Sequence, residues 1–287
     1  MVRYQFLRFP EGKAKAVTLS YDDGCVADLH FSDVITKSGL KCTFNLNGNV
    51  FRKGVISDED IKEKFLDRGH EIAVHGELHV APGYQRPIEG IKGVLNCRLD
   101  LEKRFNRIIR GMAYPDSGVR FFENGTNYRT IKNYLTDLGI AYARSLAGDN
   151  NKFRLPEDWH NWIPNVHHTN PQTMEYIDEF LAIDPDSGYI STFAPRLFYM
   201  WGHSYEFDRD DNWDFLEEMC EKLGGHDDIW YATNIEICEY VNAYNSLVYS
   251  ADGCMVYNPT LYTIWFVSDK KLYSVKPGET IQVDSWE

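Results

Sequence analysis

Ala16-Val17-Thr18-Leu19-Ser20-Tyr21-Asp22-Asp23-Gly24-Cys25 is the stretch on which the reading of this 287-residue chain turns. Its first half is a mostly apolar run of strand length, and it ends abruptly in two adjacent carboxylates. Two such groups at the end of a buried strand are expensive to desolvate and repel each other, so a cation is expected to hold at least one. About fifty residues on comes His75-Gly76-Glu77-Leu78-His79, directly after a second strand-like run, residues 70–74. One carboxylate and two imidazoles make an open metal site, with three protein ligands and a fourth position left for water. The remaining carboxylate can then act as general base on that water. The residues therefore point to a metal-dependent hydrolase, and the donor set suits zinc best, with cobalt or nickel also fitting.

Outward from this stretch, strand-like runs alternate with amphipathic helices. Strands are expected over 16–21, 42–46, 71–74, 111–114, 140–144, 197–201 and 229–232. Helices are expected over 26–37, 57–68, 88–109, 127–138, 174–183, 213–223 and 235–244, several stopped by a glycine. Ser57 with Asp60 three residues later reads as a capping-box helix start. Repeated βα units imply parallel strands, and seven or eight of them close more readily into a (β/α) barrel than into an open sheet. Asp22, Asp23, His75, Tyr114-Pro115 and His203 all follow the C-terminal ends of different strands, which converge on one mouth in a barrel. No Gly-x-Gly-x-x-Gly or phosphate-binding loop occurs, which counts against a nucleotide-binding fold. From residue 246 short strands separated by Asp252-Gly253 and Pro277-Gly278 turns replace the βα rhythm. The expected organisation is a barrel over 1–245 and a small β appendage over 246–287, which could cap the barrel, extend the binding surface or mediate a homo-oligomer.

The bulk properties bound the function. A net charge of -13 argues against nucleic acid or an anionic membrane as partner. No apolar stretch reaches the length of about 18 residues that a membrane span requires. The opening residues 1–7 lack a signal-type hydrophobic core, which gives a cytoplasmic expectation. The six cysteines, at positions 25, 42, 97, 220, 238 and 254, form no C-x-x-C pair and read as reduced thiols. His167 and His168 lie in a polar loop, where solvent exposure or substrate contact is expected rather than metal ligation.

Thr18-Leu19-Ser20-Tyr21-Asp22-Asp23-Gly24 followed by His75-x-x-x-His79 closely resembles the first two motifs of the polysaccharide deacetylases, the NodB-homology domains of carbohydrate esterase family 4. The resemblance covers about residues 15–245. It implies an irregular (β/α) barrel and removal of an acetyl group from an N-acetylated saccharide. It further implies that Asp22 is the base, that Asp23, His75 and His79 are the metal ligands, and that Trp201-Gly202-His203 matches the fifth motif, with His203 the general acid. Trp201 stands where a leucine usually lines the acyl pocket. Asp158-Trp159 corresponds to the fourth motif. The third motif departs: Met112-Ala113-Tyr114-Pro115-Asp116 has Ala113 where the arginine that steadies the base would align. Arg110 or Arg144 could supply that charge, and Arg144 is favoured because it should face the mouth. Gly76 replaces the usual Ser or Thr of the histidine box. Tyr114, Pro115 and Asp116 are expected around the substrate, with the Asp116 backbone N–H stabilising the oxyanion. The alternatives are an O-acetyl esterase or non-sugar amide hydrolase on the same site, and a catalytically silent carbohydrate-binding barrel. Retention of both Asp22 and His203 argues against the last.

Overall fold

Every residue of Lys15–Asp22 is buried, as expected of a strand covered on both faces at the centre of a parallel sheet. The computed structural model describes residues 4–48, 55–146, 148, 151–185, 187 and 193–284. Its strands are β1 (Gln5–Arg8), β2 (Lys15–Asp22), β3 (Cys42–Leu46), β4 (Glu71–Val74), β5 (Gly111–Ala113), β6 (Tyr142–Arg144), β7 (Val166–His167), β8 (Arg196–Gly202), β9 (Ile229–Tyr231), β10 (Val248–Tyr249), β11 (Met255–Tyr257), β12 (Ile264–Ser268), β13 (Lys271–Val275) and β14 (Thr280–Gln282). Its helices are α1 (Ala27–Lys37), α2 (Asp58–Ile61), α3 (Pro87–Phe105), α4 (Tyr128–Asp137), α5 (Thr173–Leu181), α6 (Tyr205–Arg209), α7 (Trp213–Leu223) and α8 (Asn234–Asn245).

The barrel sheet has eight strands in the order β6-β5-β4-β3-β2-β8-β7, with β9 beside β2. All of its pairings are parallel. β9 pairs the first half of β2 (Lys15 to Val17), whereas β3 pairs the second half (Leu19 to Asp22) on the other stretch of the strand. The sheet curls but is incomplete. Between its edge strands β6 and β7, Trp162 makes a single parallel bridge to Arg144, and four residues later Val166 pairs with Met200 of β8. Four extended residues span at most about 14 Å, so the two edges are drawn close together. The helices pack outside through apolar faces that include Phe31, Phe65, Val94, Leu101, Leu135, Phe180 and Leu216, all in one buried cluster.

Local signals start the helices where expected. Ser57 Oγ accepts from Asp60 N–H at 3.0 Å, and Asn127 Oδ1 accepts from Thr130 N–H at 3.0 Å. One expectation is corrected: residues 57–68 do not form a uniform α-helix, because Lys62–Leu66 winds as a π-helix after α2. Beyond the barrel lie two three-stranded antiparallel sheets, β10-β11-β14 and β1-β12-β13. The second draws its edge strand from the N-terminus, with Gln5 opposite Ser268 and Arg8 opposite Trp265. The C-terminal strands therefore do not stand alone, since their sheet is completed by residues 5–8. This sheet and α8 share a second apolar cluster with Leu197 and Tyr199 of β8. All six cysteines are free thiols. No helix among the described residues is long and apolar enough to cross a membrane.

Candidate metal and acid–base site

The C-terminal ends of β2 and β4 place the ligand candidates side by side. Asp22 closes β2, and Asp23 follows it in a left-handed backbone conformation, φ 81°. A non-glycine residue held there costs on the order of 1–3 kcal/mol and persists only where its surroundings enforce it. His79 is also left-handed, φ 54°, as is Gly76 between the two histidines, φ 78°. Glycine at position 76 thus meets a backbone requirement that the usual Ser or Thr would satisfy only under strain. The loop keeps its order by other means: Asn47 Nδ2 donates to the carbonyl oxygens of His75 and Gly76 at 2.7 and 3.3 Å.

His79 Nε2 lies 3.2 Å and His75 Nε2 3.7 Å from Asp23 Oδ1. These three residues can present one ligand atom each within 4.8 Å of one another. The tautomer of His75 follows from its other contact. Its Nδ1 stands 3.0 Å from the carbonyl oxygen of Ala113, which can only accept, so Nδ1 carries the proton. Nε2 then presents a lone pair to Asp23 and, at 3.8 Å, to Asp22 Oδ2. That nitrogen is buried and makes no hydrogen bond among the described residues. Burial further disfavours protonating His75. A buried lone pair aimed at two carboxylates is repulsive unless a cation lies between them, so the residues present fit a divalent metal.

Asp22 is gripped from both sides. Its Oδ1 accepts from Asn45 Nδ2 at 2.8 Å, and its Oδ2 from Arg144 Nη2. Register explains both partners: Asn45 lies directly opposite Asp22 on β3, and Arg144 ends β6. Burial works to raise the Asp22 pKa, but the Arg144 guanidinium, helped by the His203 charge and the Asn45 hydrogen bond, outweighs it and holds the carboxyl below its usual value. Arg144 is fully buried and stacks on the Trp201 ring at 4.4 Å. Its Nε and Nη1 make no hydrogen bond among the described residues, which leaves Asp22 as its anionic partner. Arg110 takes no part, being half exposed and paired with Glu239.

His203 follows β8 and turns into α6. Glu206 Oε2 accepts from the His203 backbone N–H at 3.2 Å and lies 3.3 Å from His203 Nδ1. Burial pulls the His203 pKa down, but the Glu206 carboxylate and the Asp22 charge prevail and raise it above the ordinary value. Ser204 donates to Asp28 at 2.5 Å and so ties this turn to α1.

Other expected residues fall differently. Pro115 comes against Gly76, and Asp116 follows with φ 51°. Tyr114 is a correction: its ring has no exposed surface and its hydroxyl donates to the His160 carbonyl, so only its backbone can serve the site. Asp158 is a second. Its Oδ2 accepts from Tyr128 and Lys132 on α4 at 2.6 and 2.7 Å, and its Oδ1 caps the following turn. Two donors one helical turn apart on α4 thus capture the carboxylate. Trp159 packs edge-on against Trp162 at 4.9 Å, in the second apolar cluster. His168 is buried at 1% exposure, not solvent-facing. Asn45 and Glu206 carry no expectation from sequence, although the spacing His203-x-x-Glu206 at a helix start was a readable sign of contact.

Residues 10–143 match the family model for polysaccharide deacetylase. No curated protein is matched. Among solved structures, a protein of Mycobacterium smegmatis assigned as a polysaccharide deacetylase is 17% identical, with a TM-score of 0.55 over 85% of this chain and 96% of that one. A mutant of a carbohydrate esterase family 4 pseudoenzyme of Bacillus anthracis is 15% identical, with a TM-score of 0.50 over 81% of this chain and 70% of that one. A deacetylase of Streptococcus pyogenes, in complex with acetate, is 16% identical with a TM-score of 0.39 over 45% of this chain, and the match spans 55% of that protein's length. At such identities the likeness is one of fold.

Proposed function

We propose, from the premise that the chain belongs to the polysaccharide deacetylase family, that it is a metal-dependent hydrolase that removes an acetyl group from an N-acetylated saccharide. The observation that carries the reading is the convergence of two different carboxylate environments at one mouth. Asp23 faces His75 and His79, and Asp22 faces Arg144 and Asn45. A divalent cation held by Asp23, His75 and His79 would supply Lewis acidity to water and to the acyl carbonyl.

Asp22 accepts the proton of the attacking water. Arg144 and Asn45 keep it ionised and fix its orientation, so it is ready to act without rearranging. The backbone N–H of Asp116, beyond Pro115, would donate to the oxyanion that develops on the acyl oxygen. His203 donates from Nε2 to the leaving nitrogen, since Nδ1 is turned to Glu206. Products are acetate and a free amine. The Trp201 ring covers the Arg144 guanidinium and helps to hold it against Asp22.

The test is acetate release from a panel of N-acetyl and O-acetyl saccharides. Release from N-acetyl members above O-acetyl ones supports the proposal, and the reverse preference moves it to an esterase on the same residues. No release from any member, with metal bound, would sink the assignment of an acetyl saccharide as substrate.

A further inference from the structure

A second group of metal-type donors stands at the same mouth, apart from Asp23, His75 and His79. His167 closes β7, His203 follows β8, and Glu206 lies in α6; these three can also present ligand atoms within 4.8 Å of one another. His167 Nε2 and His203 Nδ1 each lie 3.3 Å from Glu206 Oε2. A charge-assisted hydrogen bond prefers about 2.7–2.9 Å. Zinc bonded to nitrogen and oxygen at about 2.0–2.2 Å in a tetrahedron spaces its donor atoms about 3.3–3.6 Å apart. The observed spacings fit the edge of such a tetrahedron better than a pair of strong hydrogen bonds.

A neighbouring residue points to a ligand independently. His168 is buried, its Nδ1 stands 3.1 Å from the Tyr21 hydroxyl, and its Nε2 makes no hydrogen bond among the described residues. That unsatisfied nitrogen lies 3.5 Å from the same Glu206 oxygen. The chain makes room for this ring: a Cβ on Gly202 would come within 1.9 Å of His168 Nδ1. Glu206 Oε1 is turned the other way, 3.5 Å from Arg209 Nη1. Three imidazoles around one carboxylate oxygen is a donor set of the kind that holds zinc, cobalt or nickel.

We infer that His167, His203 and Glu206, with His168 alongside, form a second divalent-cation site that takes His203 out of service as the acid. The inhibitory half of this inference rests on the acid role proposed for His203; the binding half does not. An imidazole that gives its Nδ1 lone pair to a cation keeps its only proton on Nε2. Losing that proton would leave an imidazolate, so the ring becomes a far weaker acid than imidazolium. Arg209 beside Glu206 opposes a second positive charge, so this site binds more weakly than the one at Asp23.

Metal-stripped protein is titrated with cobalt(II), with visible absorption and heat of binding followed together. The expected result is two phases. The weaker is lost in His167→Ala and in Glu206→Gln and survives in His75→Ala with His79→Ala; the tighter behaves oppositely. In a parallel assay, acetate release falls as zinc is raised past the first equivalent, and this fall is absent in His167→Ala. A weaker phase that persists in both His167→Ala and Glu206→Gln, or one equivalent bound by all of these proteins alike, overturns the second site. Loss of only the tighter phase from the wild type would instead overturn the ligand role of Asp23, His75 and His79, because the two phases are read separately. Weak-phase binding without any fall in acetate release overturns the capture of the acid.

Discussion

Replacing Arg144 with methionine tests how the base is kept ionised. The guanidinium is the buried cation that contacts Asp22, and burial alone would push that carboxyl's pKa up. Two unit charges about 4 Å apart at an effective dielectric of about 20 interact by about 4 kcal/mol, equivalent to roughly three pKa units. Asn45 and His203 remain in Arg144→Met and retain part of this effect, so a rise of roughly one to three units is expected for Asp22. Because Asp22 must be deprotonated to accept a proton, the acid limb of the kcat/KM profile moves to higher pH by that amount. Stability changes in the same direction. A depressed folded-state pKa contributes stability that is present above the unfolded carboxylate value and lost as pH falls through the folded one. At neutral pH, Arg144→Met leaves Asp22 buried without its counter-charge, for a loss of about 3–5 kcal/mol in denaturant unfolding. Much of that loss comes from the orphaned charge, so adding Asp22→Asn to Arg144→Met restores part of it. An acid limb that does not move, together with strictly additive stability changes, would refute the reasoning.

Three further outcomes follow from the same geometry. Asp22→Asn abolishes turnover while metal content stays at the wild-type level, measured by elemental analysis beside acetate release. Glu206→Gln removes the carboxylate that raises the His203 pKa, so the alkaline limb, set by loss of the acid's proton, moves to lower pH in the kcat/KM profile. Gly202→Ala drives a Cβ into the His168 ring and costs about 1–3 kcal/mol or more in thermal or denaturant unfolding, with the mouth disturbed as well.

Much of the barrel could be read from the chain because its signals are local. The run from Ala16 to Tyr21 is buried throughout, and the strands at 42–46 and 71–74 have the expected bounds, since an apolar run of strand length between helix signals leaves few alternatives. Asp23, His75 and His79 came together because each follows a strand that must end at the same mouth, and Arg144 reached Asp22 for the same reason. What stayed hidden depends on register or on distant pairing. Asn45 meets Asp22 only through the β2–β3 register, and residues 5–8 find β12 some 260 positions away without any local sign. Asp158 misled because an Asp-Trp pair resembles a motif regardless of what its carboxylate binds. Here Tyr128 and Lys132 decide that, and they lie on α4, some 26 to 30 positions earlier in the chain.

The central claim is that Asp23, His75 and His79 hold the cation on which hydrolysis depends. The most direct measurement is metal content of the purified protein, paired with acetate release before chelation, after it, and after zinc is restored, in the wild type and in His75→Ala. The account predicts about one tightly held equivalent, as a three-ligand site requires. Release should be lost on chelation and regained with zinc, and both metal and release should be missing from His75→Ala. Acetate release that survives chelation, or a His75→Ala protein that retains both metal and turnover, would contradict it.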